Sequence, residues 1–105
     1  MDSQIATRLG PSRAETLAAL RALKPWLEAQ GIRRLRLFGS RARDEARPDS
    51  DVDLLVEFDH PPGFMRLAGI ELAIEDRLGV RVDLGLAEAL RPRIAAGVVA
   101  DAIDV

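Results

Sequence analysis

The sequence contains no cysteine. Disulfide scaffolds, thiolate zinc sites and cysteine nucleophiles are therefore excluded. It has a single histidine, His60, too few for a histidine-based metal site. In the loop before Pro61-Pro62 this residue reads as a surface group. No apolar run approaches the roughly 20 residues of a membrane span. The opening MDSQIATRLG lacks the apolar block of a signal peptide, so the expected location is cytoplasmic. Lysine is nearly absent: of 15 basic residues only Lys24 is a lysine, and the rest are arginine. The net charge of −2 and pI of about 5.4 argue against a bulk electrostatic hold on nucleic acid. At 105 residues the chain fits one domain, 1–105, with no room for a separate substrate domain.

What is present reads as alternating helices and strands. Residues 1–11 form a flexible arm ending in Gly10-Pro11. Ser12 and Glu15 make a capping box, and Leu17, Leu20, Leu23 and Leu27 follow at helical spacing. Pro25 inside that pattern should kink or split the helix, and Gly31 should stop it. Ile32 to Phe38 reads as a strand with Leu35 and Leu37 on one face and Arg34 and Arg36 on the other. Ser40 to Arg47 fits a short helix, Val52 to Phe58 a second strand, Phe64 to Leu78 a long helix stopped by Gly79, and Arg81 to Gly85 a third strand. A last helix is expected from about Pro92, with Ile94, Val98 and Ala102 facing inward. The fold class is α/β (α+β): a small mixed sheet of three or more strands flanked by helices. Trp26 reads as a half-buried anchor, and Arg33, Arg34 and Arg36 as a solvated strand face.

The informative segment is LFGSRARDEARPDSDVDLLVEF. Asp51 and Asp53 are two apart along a strand, so they share a face. Close parallel carboxylates repel unless a cation lies between them, and Mg²⁺ is the hard ion that carboxylates and substrate phosphates hold together. Gly39 ends a hydrophobic strand and lets a ligand approach the backbone. Ser40 offers a hydroxyl and a helix N-terminus to a phosphate. Arg41 and Arg43 lie just beyond and could meet phosphate oxygens. If the third strand pairs beside the second, Asp83 joins Asp51 and Asp53. Three carboxylates and a triphosphate can hold two metal ions, or Asp83 can serve as general base.

The combination of Gly39-Ser40, ten intervening residues, Asp51-x-Asp53 and a downstream strand Asp83 resembles the nucleotidyltransferase superfamily that includes DNA polymerase β. The wording LFGSRAR…SDVDLLVEF is similar to its minimal nucleotidyltransferase branch, at motif level over residues 32–85, and the ending LRPRIAAGVVADAIDV resembles it more loosely. The resemblance implies a Mg²⁺-dependent small nucleotidyltransferase fold using ATP. Gly39 and Ser40 would hold phosphate, Asp51 and Asp53 the metal, and Asp83 would be the third carboxylate. Members of this branch resemble antitoxins that adenylylate a tyrosine of a HEPN ribonuclease toxin and silence it. With no tyrosine of its own, this chain cannot modify itself in that way. Many relatives carry glycine where this sequence has Asp44, which bears on the turn after Arg43.

Two other functions fit the same residues. One is an antitoxin acting by binding and occlusion without catalysis. The other is transfer to a small-molecule acceptor, for which relatives carry extra substrate-binding structure. For a catalytic chain the acceptor site is expected largely on a partner.

Overall fold

The computed structural model describes residues 9–87 and 101–105. The expected helix from Pro92 and most of the arm, residues 1–8, lie outside them. Ser12 caps the first helix, α1 (Arg13–Ala29): its Oγ accepts the Glu15 N–H at 3.0 Å and donates to Glu15 Oε1 at 2.9 Å. The helix runs through Pro25 as one element rather than splitting there, and Thr16, Leu20, Leu23 and Leu27 form its buried stripe. It ends at Gln30, and Gly31 follows with φ +93°, a backbone that favours glycine.

Strand β1 (Ile32–Phe38) turns back antiparallel against β2 (Val52–Phe58). After the expected 59–63 loop comes α2 (Phe64–Leu78), burying Ile70, Ile74 and Leu78. It stops at Gly79, left-handed with φ +73° and its N–H on Glu75 O at 2.8 Å. The chain then enters β3 (Val82–Leu86), parallel to β2. A fourth strand, β4 (Ile103–Asp104), pairs antiparallel with the other edge of β1, giving the order β3-β2-β1-β4. This is an α+β fold on a mixed sheet.

Strand alternation divides the sheet into two faces. Leu35 and Leu37 of β1, Val52, Leu54 and Val56 of β2, and Val82 and Leu84 of β3 join the helix stripes in one core. The register lines these residues up rung by rung: Leu37 opposite Leu54, and Leu54 opposite Leu84. The opposite parity places Arg36, Phe38, Asp53, Glu57 and Asp83 on the other face. Arg33 and Arg36 share Glu57, at 2.8 and 3.4 Å, and Arg34 pairs with Asp104 of β4 at 3.1 Å.

Three expectations change. Ser40 to Arg47 is not a helix: residues 40–44 form a tight turn, with Arg43 N–H on Gly39 O at 3.1 Å and Glu45 N–H on Ser40 O at 2.9 Å. The end of the presumed arm is tied down, since Leu9 N–H donates to Leu78 O at 3.0 Å and Leu9 packs on the core. Finally, Ile103 and Asp104 form a strand where only the close of a helix was expected. Among the described residues no helix is long and apolar enough to cross a membrane.

Candidate active site

Asp53 is the second residue of β2 and sits half-buried on the polar face. Its position is fixed by its apolar neighbours: Val52 and Leu54 point into the core, so the residue between them must point the other way. Asp83 lies directly opposite on β3, for the same reason between Val82 and Leu84. Asp51 precedes the first residue of β2 and is exposed. On the antiparallel side Asp53 pairs with Phe38, the last residue of β1.

Gly39 follows Phe38 with φ +79°. Its bare Cα lies against the Asp53 carboxylate, so that a Cβ there would collide with Oδ2 and come within 3.1 Å of Cγ. The 39–44 turn is thereby laid directly beside Asp53. Ser40 opens the turn half-buried, and its hydroxyl and N–H donate no hydrogen bond to any described residue.

The two arginines of the turn part ways. Arg43 is on the surface, bonded through Nε to Glu45 at 3.0 Å and through Nη1 to Asp101 at 3.2 Å. Its charge also acts on Asp53. Arg41, expected to contact phosphate, is instead fully buried. Its guanidinium bonds Ser50 O at 2.9 and 3.2 Å, Gly10 O at 2.6 Å and Thr16 Oγ1 at 3.1 Å. It points inward and ties the turn, the start of α1 and the residue before Asp51 into one body.

Asp44 has φ +60°, a conformation rare for residues other than glycine. It is the position where the family resemblance implies glycine, and here the side chain takes on a task of its own. Asp44 Oδ1 accepts the Arg13 N–H at 2.8 Å, satisfying one of the free N–H groups at the start of α1. The sequence reading singled out Asp44 only for the turn after Arg43, not for a bond to α1, and Thr16 was absent from it.

Burial holds the Asp53 carboxyl above its ordinary range, and the charges of Asp83 and Asp51 push the same way, against the pull of Arg43 and Arg41. Among the described residues no three acidic or histidine side chains close around a common point as a ready cation cage. The donor set nevertheless fits a divalent cation shared with a substrate. Asp51, Asp53 and Asp83 accept no hydrogen bond from any described residue, and their mutual repulsion is what a cation would relieve. Magnesium is bound in this manner, by one or two carboxylates plus phosphate oxygens, without an all-protein cage.

The family model for the nucleotidyltransferase domain matches residues 19–105, and the chain belongs to that family. It is similar to the protein adenylyltransferase MntA of Thermococcus cleftensis, with 40% identity over 78 residues, covering 74% of this chain and 79% of that protein. A solved structure described as a minimal nucleotidyltransferase superposes with a TM-score of 0.78 and 39% identity, covering 90% of this chain and 96% of that one. The fold also matches, at a TM-score of 0.58 and 17% identity, a structure of the tri-AMPylated Shewanella oneidensis HEPN toxin in complex with an MNT antitoxin. That match covers 88% of this chain and 66% of the other.

Proposed function

We propose that the chain is a protein adenylyltransferase serving as the antitoxin of a HEPN toxin, and that it moves AMP from ATP to a tyrosine of that partner. The observation that carries this reading is the in-register pair Asp53 and Asp83, with the Gly39-Ser40 turn lying against Asp53. Carboxylates and a turn with donors left free among the described residues meet at one end of the sheet. The protein adenylyltransferase at 40% identity supports the reaction class. The fold neighbour seen with a modified HEPN toxin supports the partner. A cytoplasmic location, where ATP is abundant, goes with it.

Each residue has a role in the step. The Ser40 hydroxyl and N–H would bind the terminal phosphates, and Gly39, having no side chain, lets that turn lie directly against the Asp53 carboxylate. Arg43, whose charge reaches Asp53, would meet the phosphates, while Arg41 holds the turn from beneath. Two magnesium ions held by Asp51, Asp53 and Asp83 would neutralise the charge on the triphosphate and on the leaving pyrophosphate. The tyrosine oxygen attacks the α-phosphorus, and the bond from that phosphorus to the pyrophosphate oxygen breaks. Pyrophosphate departs with the bonding electrons. Asp83 would take the phenol proton.

The test is transfer of label from α-³²P-ATP, with Mg²⁺, to a co-expressed HEPN partner. Label on a partner tyrosine is expected, and none with Asp51→Ala/Asp53→Ala. Equal label from that double variant would overturn the reading. A double variant that still rescues cells from the toxin, with no label transferred, would assign the chain to neutralisation by occlusion.

A further inference from the structure

Val82 and Leu84 flank Asp83 on β3, the outermost described strand on its side of the sheet. Their N–H groups donate to carboxylates from α2: Val82 to Glu75 Oε2 and Leu84 to Glu71 Oε2, both at 2.9 Å. Alternate N–H groups of a strand face opposite edges, so this pair faces away from β2. On an edge strand such groups are normally left to solvent or to another strand.

The spacing of the two elements makes the match. Four residues of helix advance about 6 Å, and two residues of strand about 6.6 Å. Glu71 and Glu75 lie on one side of α2 because they are one turn apart. They therefore reach successive outward N–H groups, the later glutamate holding the earlier strand residue as the chain doubles back through Gly79. The ladder to β2 holds the inner edge of β3; one such bond would fix a single point of its outer edge against α2, whereas two fix both its distance from α2 and its slide along it. Asp83 is the single residue between the two anchors.

We infer that Glu71 and Glu75 are positioning residues: by clamping the N–H groups on either side of Asp83, they hold its carboxylate at the rung opposite Asp53. The inference rests on the reading of Asp53 and Asp83 as metal ligands. Groups that orient metal ligands from behind matter to affinity although they never touch the ion.

The experiment follows amide exchange by NMR and Mn²⁺ binding by electron paramagnetic resonance, on the full chain with a non-hydrolysable ATP analogue. In the wild type, the Val82 and Leu84 amides are expected to exchange as slowly as that of Asp83. Glu71→Ala/Glu75→Ala should speed both and weaken Mn²⁺ binding by roughly tenfold or more. Glu71→Gln/Glu75→Gln should restore both, because an amide oxygen still accepts the bonds. If the double alanine variant fails to fold, each single alanine variant, which keeps one anchor, should still bind Mn²⁺ more weakly than wild type. Unprotected Val82 and Leu84 amides in the wild type, or wild-type Mn²⁺ affinity in the alanine variants, would overturn the inference. A wild type that binds no Mn²⁺ would instead overturn the metal reading beneath it.

Discussion

Asp53 and Asp83 occupy the same rung of the parallel β2–β3 pair, two like charges on neighbouring strands with no described hydrogen-bond donor between them. Directly opposed like charges destabilise a sheet. Asp53 is half-buried, with the Gly39 backbone packed against its carboxylate. The folded chain thus keeps an electrostatic strain at the place where a cation and a triphosphate would relieve it.

That strain has a sign. The folded state raises the Asp53 pKa above its ordinary value of 3.8, through burial first and then Asp83 and Asp51. The folded chain therefore binds the proton more tightly than the unfolded one. Stability present below the ordinary value is lost as pH rises through the raised folded value. Asp53→Asn removes the penalty. In chelator, this variant is expected to melt above wild type at neutral pH, with the gap closing in acid below the ordinary aspartate range. The same variant should transfer no nucleotide. Thermal melts of both proteins across the acid-to-neutral range check it, and equal melting at pH 7 would sink the argument.

Gly39 offers a cleaner separation of site from scaffold. An added Cβ at φ +79° would cost about 1–2 kcal/mol from the backbone alone, and it would also drive the Asp53 carboxylate aside. Gly39→Ala should lose transfer on the order of 100-fold, the effect of misplacing a reacting group by about 1 Å. Gly69→Ala is the control. A Cβ at Gly69 meets nothing within 4 Å, and the position lies inside α2. It should stabilise the chain by about 0.5–1 kcal/mol and leave transfer unchanged. Steady-state rates and denaturant melts on both variants decide between these outcomes.

The elements that were legible from sequence are those whose pattern is strong and local. The leucine stripe of α1, the alternation in β1 and β2, and the Gly79 stop of α2 depend on near neighbours along the chain. The rung shared by Asp53 and Asp83 was conditional on strand pairing, which no local signal sets. The inward packing of Arg41 was hidden for a related reason. An arginine beside a phosphate turn looks the same in sequence whether its guanidinium faces the ligand or the core. Its inward partners, Gly10 O and Thr16 Oγ1, lie 31 and 25 residues away. The short β4 was hidden because two residues carry no periodicity, and its pairing with β1 is again a long-range contact.

Asp44 carries two opposed contributions, a positive φ and a bond that caps α1. Asparagine tolerates the left-handed backbone and keeps an acceptor, so Asp44→Asn should lie within about 0.5 kcal/mol of wild type. Asp44→Gly relieves the backbone but loses the cap, worth about 1 kcal/mol, and should be mildly destabilised. Asp44→Ala relieves nothing and loses the cap, so it should be the least stable of the three. Urea melts give the order directly, and an alanine variant as stable as the glycine variant would contradict it.

Arg41 tests whether the turn is held from behind or grips the nucleotide. Truncation to alanine leaves the buried Thr16 Oγ1 and the part-buried Ser50 O and Gly10 O without this guanidinium, at about 1–3 kcal/mol for a bond to a charged group or a buried group left unsatisfied. Arg41→Ala should therefore be destabilised by about 3 kcal/mol or more. Arg41→Lys keeps the charge but has no planar fork to span Ser50 O and Gly10 O together, so it should fall between alanine and wild type. Arg43→Ala should behave in the opposite way, since its guanidinium is on the surface between Glu45 and Asp101. Its stability should stay close to wild type, while its KM for ATP rises. Melts and ATP titrations run on both alanine variants separate the two roles. An Arg41→Ala protein with wild-type stability and a raised KM would return Arg41 to the phosphate.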